Sequence, residues 1–153
     1  EYQKKVEQRK RETTKNQMVT SSLLEAEKRL LGLISQSKKL YKMSSAHIKA
    51  EEFSTDVYRR LAKSMYVSYE NGMSPDPAMM LNDFSGDDLS EASEVFYNLE
   101  VYSGDEETVK ELLYTIKLEK LNMHINAETD PTNLMDLFKQ REELLNEKNT
   151  WEE

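Results

Sequence analysis

Between Asp105 and Ala127 neither glycine nor proline interrupts the chain, and the residue types favour one long helix. A helix of about 23 residues is about 34 Å long at 1.5 Å per residue. Stepping about 100° per residue from Val109 places Leu112, Leu113, Ile116 and Met123 within about 60° of it. Tyr114, Leu118, Leu121 and Ile125 gather between about 120° and 180°, on the far side. A rod with two opposed apolar stripes must be covered on both sides. The first stripe is weighted to the N-terminal half and the second to the C-terminal half. The expectation is therefore a helix anchored in a bundle at its front and finished against a different neighbour at its tail.

That neighbour is the next segment. Asp130-Pro131 is an N-cap followed by proline at the first helical position, where a missing N–H costs nothing. Leu134, Leu137, Phe138, Leu144 and Leu145 then share an arc about 120° wide on a helical wheel. With only Glu128 to Asp130 between them, the two helices must run antiparallel as an αα-hairpin. Arg141 falls within the apolar arc of the second helix and Lys120 within the first stripe of the long one. Both read as packed aliphatic stems with charged heads in water, with contact to a partner as the alternative.

Upstream the same periodicity recurs in shorter pieces. Ser21 or Ser22 offers an N-cap, with Glu25 at capping-box spacing from Ser22. Leu23, Leu24, Leu30, Leu31 and Ile34 follow at helical intervals to about Lys39, with Gly32 inside the run. A polar passage leads to Ala46–Glu51 and Phe53. Ser54 reads as the cap of a helix carrying Val57, Tyr58, Leu61, Met65, Tyr66 and Tyr69, stopped by Gly72 in a left-handed C′ position. Asp76-Pro77 opens a short helix with Met79, Met80, Leu81 and Phe84, ending at Gly86. Another starts near Asp88, carries Leu89, Ala92, Val95, Phe96 and Leu99, and closes at Gly104. No segment alternates with period two. The fold class is all-α: a bundle of five to six helices over 21–116, then a protruding hairpin over 117–153 continuous with 105–127.

Charge is unevenly placed. The 153 residues carry a net charge of -8. Residues 1–20 hold six bases (Lys4, Lys5, Arg9, Lys10, Arg11, Lys15) against three acids (Glu1, Glu7, Glu12), so the remainder carries a net -11. The first stretch has no apolar stripe and reads as a basic linker from an upstream domain, which the start at Glu1 also suggests. Its alternative use is contact with nucleic acid, whose phosphates require cationic partners. The acidic body disfavours such contact.

The sequence offers little for catalysis. Zero Cys excludes disulfides, thiol chemistry and zinc fingers. His47 and His124 stand 77 positions apart without companions at metal-ligand spacing. The acid pairs Asp87-Asp88, Glu51-Glu52, Glu106-Glu107 and Glu142-Glu143 are adjacent, so on a helix their members point about 100° apart. Scattered glycines build no phosphate loop, and no cofactor is expected. The eight Met and eight Tyr fall mostly on apolar stripes and read as core. Trp151 is the third residue from the end. No apolar run approaches the roughly 18 residues of a membrane span, and without a secretory signal the expected location is cytoplasmic.

The blocks AEKRLLGLISQSK, FSTDVYRRLAKSMYVSYENG and SPDPAMML, in that order and followed by the long helix and hairpin, resemble the C-terminal helicase-binding domain of bacterial DNA primase (DnaG type). The resemblance covers about residues 21–150. It implies a helical bundle that modulates the activity of the hexameric replicative DNA helicase (DnaB type), with a protruding C-terminal hairpin that docks on that helicase. It also implies that primer synthesis belongs to upstream domains, leaving this part non-catalytic and monomeric. The family's docking region maps to the last helix, Pro131 to Lys148, with Leu134, Leu137, Phe138, Arg141, Glu142 and Leu145 as partner-binding candidates. Burying another 300–400 Å² of apolar surface there would give about 7–10 kcal/mol before association costs, a moderate and reversible contact. The competing assignment is the helicase's own N-terminal domain. The basic tract before the first helix and the end of the chain after the hairpin weigh against it.

Overall fold

The structure, a computed structural model, describes residues 19–97 and 105–148. Seven α-helices occur among them: α1 (Ser21–Gln36), α2 (Lys38–Ser45), α3 (Asp56–Glu70), α4 (Pro77–Leu81), α5 (Gly86–Tyr97), α6 (Glu106–Ala127) and α7 (Pro131–Glu147). A 3₁₀ turn, Ala50–Glu52, links α2 to α3. The fold is all-α. The basic stretch up to Met18, Leu99, Gly104 and Trp151 lie outside the described residues.

Every helix in the first half buries a stripe in one core. Leu23, Leu30, Leu31 and Ile34 of α1 meet Leu61, Ala62 and Met65 of α3, Ala92 and Val95 of α5, and Val109, Leu113 and Ile116 of α6. Phe53, in the loop before α3, is buried in the same cluster. Four tyrosines are buried (Tyr41, Tyr58, Tyr66 and Tyr69), as are Met65 and Met80, whereas Met73, Met79 and Met135 are exposed.

The boundaries depart from the sequence expectations in five places. Thr20, not Ser21 or Ser22, caps α1, its Oγ1 accepting the Leu23 N–H at 3.1 Å. The run expected to continue to Lys39 stops at Gln36, and α2 occupies part of the segment read as a polar passage. The break is tertiary in origin. The Tyr69 hydroxyl donates to the Ile34 carbonyl at 2.5 Å, satisfying a terminal acceptor of α1. Ser37 then turns extended and caps α2 through the Leu40 N–H. Tyr41 of α2 stacks on Tyr69 with ring centroids 4.5 Å apart and meets Tyr66 edge-on at 5.1 Å. At α3 the cap is Thr55 rather than Ser54. The short helix α4 closes at Leu81 and leaves Phe84 outside it, where the sequence pointed to Gly86. Finally, α5 begins at Gly86, where φ is +59°, rather than near Asp88.

Other signals hold as read. Gly72 has φ +74° and ends α3, with Gly72 N–H bonding the Tyr69 carbonyl at 3.0 Å and Met73 N–H the Ser68 carbonyl at 2.8 Å. That pair of bonds is the Schellman pattern, which needs a left-handed residue at C′. Asp76 caps α4 with Pro77 at its start, and Asp130 caps α7 with Pro131 at its start.

The long helix is unbroken from Glu106 to Ala127, capped by Asp105 through the Thr108 N–H at 3.1 Å. Its principal neighbour in the bundle is α1, with α2 second, and α7 covers its other side. Burial decreases along it. Val109, Leu112, Leu113 and Ile116 are buried, residues 117–123 are half-buried, and His124, Asn126 and Ala127 are exposed.

Candidate functional site: the outer face of the C-terminal hairpin

The turn between α6 and α7 is made rigid by its own residues. Glu128 Oε1 accepts the N–H groups of Thr129 at 3.1 Å and Asp130 at 3.0 Å, and Asp130 Oδ1 accepts the Thr132 N–H at 2.8 Å. From this turn α7 runs back along α6 for its whole length. Arg141 Nη1 donates to Asn122 Oδ1 at 3.0 Å, and Lys148 pairs with Glu111 at 3.0 Å with its ammonium 4.3 Å from the Tyr114 ring centre. The registers 122/141 and 111/148 fix an antiparallel pair.

These contacts divide the expected apolar arc of α7 in two. Leu134, Leu137, Arg141, Leu144 and Lys148 follow one another at three- and four-residue steps and form the face toward α6. Leu144 is the buried member, 6% exposed, while Leu134, Leu137 and Arg141 are half-buried. The second stripe of α6 meets them, with Tyr114, Leu118 and Leu121 partly buried against the core.

Next to this face lies another stripe, Met135, Phe138, Glu142 and Leu145, within about 80° on the wheel. Met135 is 73% exposed, Phe138 41% and Leu145 50%, and Glu142 is also exposed. Large apolar side chains aligned on one face and left in water mark an interaction surface more than scattered ones do. Of the six sequence candidates, then, Phe138, Glu142 and Leu145 stand on this open face, while Leu134, Leu137 and Arg141 lie toward α6. Arg141 also lies 5.1 Å from the Phe138 ring centre, bracing one stripe against the other. Met135 was not among the candidates. Its signal was its spacing of three, seven and ten residues from Phe138, Glu142 and Leu145.

At the hairpin tip a cleft of about 300 Å³ is lined by His124, Ala127, Glu128, Asn133, Asp136 and Leu137. His47 sits instead beside α6, its Nδ1 3.4 Å from Lys117 Nζ. Burial lowers the His47 pKa, the Lys117 charge lowers it further, and Glu147 opposes both. Among the described residues no group of three or more His, Asp or Glu converges as a metal site, and no helix is long and apolar enough to cross a membrane. No family model, curated protein or solved structure matches the chain.

Proposed function

We propose that this chain is the helicase-interaction domain of a bacterial DNA primase, a non-catalytic recruiting module that binds the hexameric replicative helicase through its C-terminal hairpin and modulates it during primer synthesis in the cytoplasm. The reading joins the resemblance of residues 21–150 to one observation of geometry: α7 carries the open stripe Met135, Phe138 and Leu145 on a helix already anchored by its other face. A partner helix laid along this stripe buries apolar atoms that folding left wet, and no rearrangement of the bundle is needed. Exposed Glu142, in the middle of the stripe, sets register more than affinity. Three such side chains support a moderate contact, and several sites on a hexamer raise retention through effective concentration.

The test is calorimetric titration of the chain into purified replicative helicase, backed by co-migration on a sizing column. Wild type should bind, and Met135→Asp and Phe138→Asp should each weaken binding by about tenfold or more while leaving the melting curve in place, since both side chains are solvated in the free protein. Absence of binding by the wild type refutes the assignment. Binding that survives both substitutions refutes the surface.

A further inference from the structure

Four consecutive residues, the last of the 3₁₀ turn and the three that lead into α3, are each held by a charged side chain, and each of those comes from a different helix. The Glu52 carbonyl accepts from Lys120 Nζ of α6. The Phe53 carbonyl accepts from Arg59 Nη1 of α3 at 3.0 Å. Glu27 of α1 accepts the Ser54 N–H at 2.6 Å and, through its other oxygen, the Ser54 hydroxyl. The Thr55 hydroxyl donates to Glu91 Oε2 of α5 at 3.0 Å. Glu27 is fully buried, and the Phe53 side chain between these anchors is 1% exposed. A buried carboxylate is retained only where its hydrogen bonds are satisfied, so this loop is a specified junction and not a loose connection.

The junction reaches the long helix at one turn. Beside Lys120, Glu119 Oε2 accepts the Thr20 hydroxyl at 3.0 Å, the same hydroxyl group that caps α1. One turn earlier Lys117 stands against His47. Residues 117–120 thus grip three separated parts of the bundle: the start of α1, the 3₁₀ turn and the end of α2. Just beyond them burial of α6 falls away toward the exposed tip. Hydrogen bonds are directional where apolar contacts slide, and polar fasteners at this level constrain the angle of the rod rather than only its attachment.

We infer that the 52–55 loop and the 117–120 turn of α6 together form a joint that fixes the direction in which the hairpin leaves the bundle, with Lys120 and Glu119 as its positioning residues. The inference concerns geometry and stands whatever the hairpin docks on. Ala127 lies about 10 Å beyond Lys120 along the helix, so a swing of about 20° at the joint moves the tip by about 4 Å.

The chain has no Cys, which permits labelling without background substitutions. Spin labels at Ser90→Cys on α5 and Thr132→Cys on α7, both exposed positions, report the bundle-to-tip distance by pulsed electron resonance. Wild type should give one narrow distribution. Lys120→Met, which keeps the aliphatic stem, and Glu119→Ala should each broaden it, and together by about twofold or more, with unchanged far-ultraviolet circular dichroism. Lys39→Ala, which breaks the Lys39–Glu106 pair at the other end of the same rod, should leave it narrow. The inference is overturned if the double variant is as narrow as wild type, or if Lys39→Ala broadens as much. Loss of helicity in both single variants also overturns it, because the residues would then be core struts and not positioning groups.

Discussion

Replacing Leu144 with Ala asks how the last helix is held. Leu144 is the buried side chain of α7, and it joins the core through the second stripe of α6. Core Leu→Ala substitutions cost about 2–5 kcal/mol, rising with the cavity left behind. Its neighbours Tyr114, Leu118 and Leu121 are only half-buried, so the space opens toward solvent and the lower part of that range applies, about 2–3 kcal/mol. The surviving fasteners, Arg141–Asn122 and Lys148–Glu111, involve exposed or half-buried groups and offset little. The loss should therefore appear as local opening of α7, about 30- to 150-fold, with the bundle intact. Native-state hydrogen exchange measures this directly: amides of residues 134–147 should lose protection by that factor while those of residues 57–69 in α3 keep theirs. An unchanged α7, or an equal loss in α3, would refute the reasoning, the second by showing one cooperative unit.

Leu113→Asp puts an unpaired charge where the side chain is 1% exposed, and cooperative thermal unfolding followed by circular dichroism should disappear. Burial raises the Glu27 pKa, only partly offset by the Ser54 donors, so its stabilising contribution is full below the ordinary carboxylate range and falls as pH rises through the raised value. Urea titrations across that interval should therefore show the stability of wild type relative to Glu27→Gln declining with increasing pH, and a difference independent of pH would contradict the buried placement. Gly72→Ala meets no atom within 4 Å of the added Cβ, so only the left-handed backbone resists it; the expected loss is about 1 kcal/mol, read as a fall of a few degrees in Tm.

The hairpin was legible in the sequence because its determinants are local. Asp130 caps the last helix, Pro131 sits where proline is tolerated, and the two stripes of 105–127 require cover on both sides. Helix α2 was not legible. Its segment, KKLYKMSS, is short and polar, and what holds it is distant: the Tyr41 ring depends on Tyr66 and Tyr69 of α3. The cap of α3 was misplaced by one residue for a related reason. Ser54 has the right side chain, but Glu27, 27 positions away, takes its hydroxyl, and Thr55 caps instead. The 52–55 junction as a whole pairs residues up to 68 positions apart, and nothing in local spacing announces such pairings. On α7 the wheel was sound, but an arc 120° wide pooled two narrower stripes. The positions of Asn122 and Glu111 opposite Arg141 and Lys148, together with the burial of Leu144, show which stripe faces inward.

Because α6 is shared, the molecule has no clean place to be shortened. Cutting after Ala127 would not yield a trimmed bundle but one with a raw flank, since Tyr114, Leu118 and Leu121 would lose the cover that α7 provides. A truncated chain of that kind should seek its missing cover in other copies of itself and aggregate on concentration.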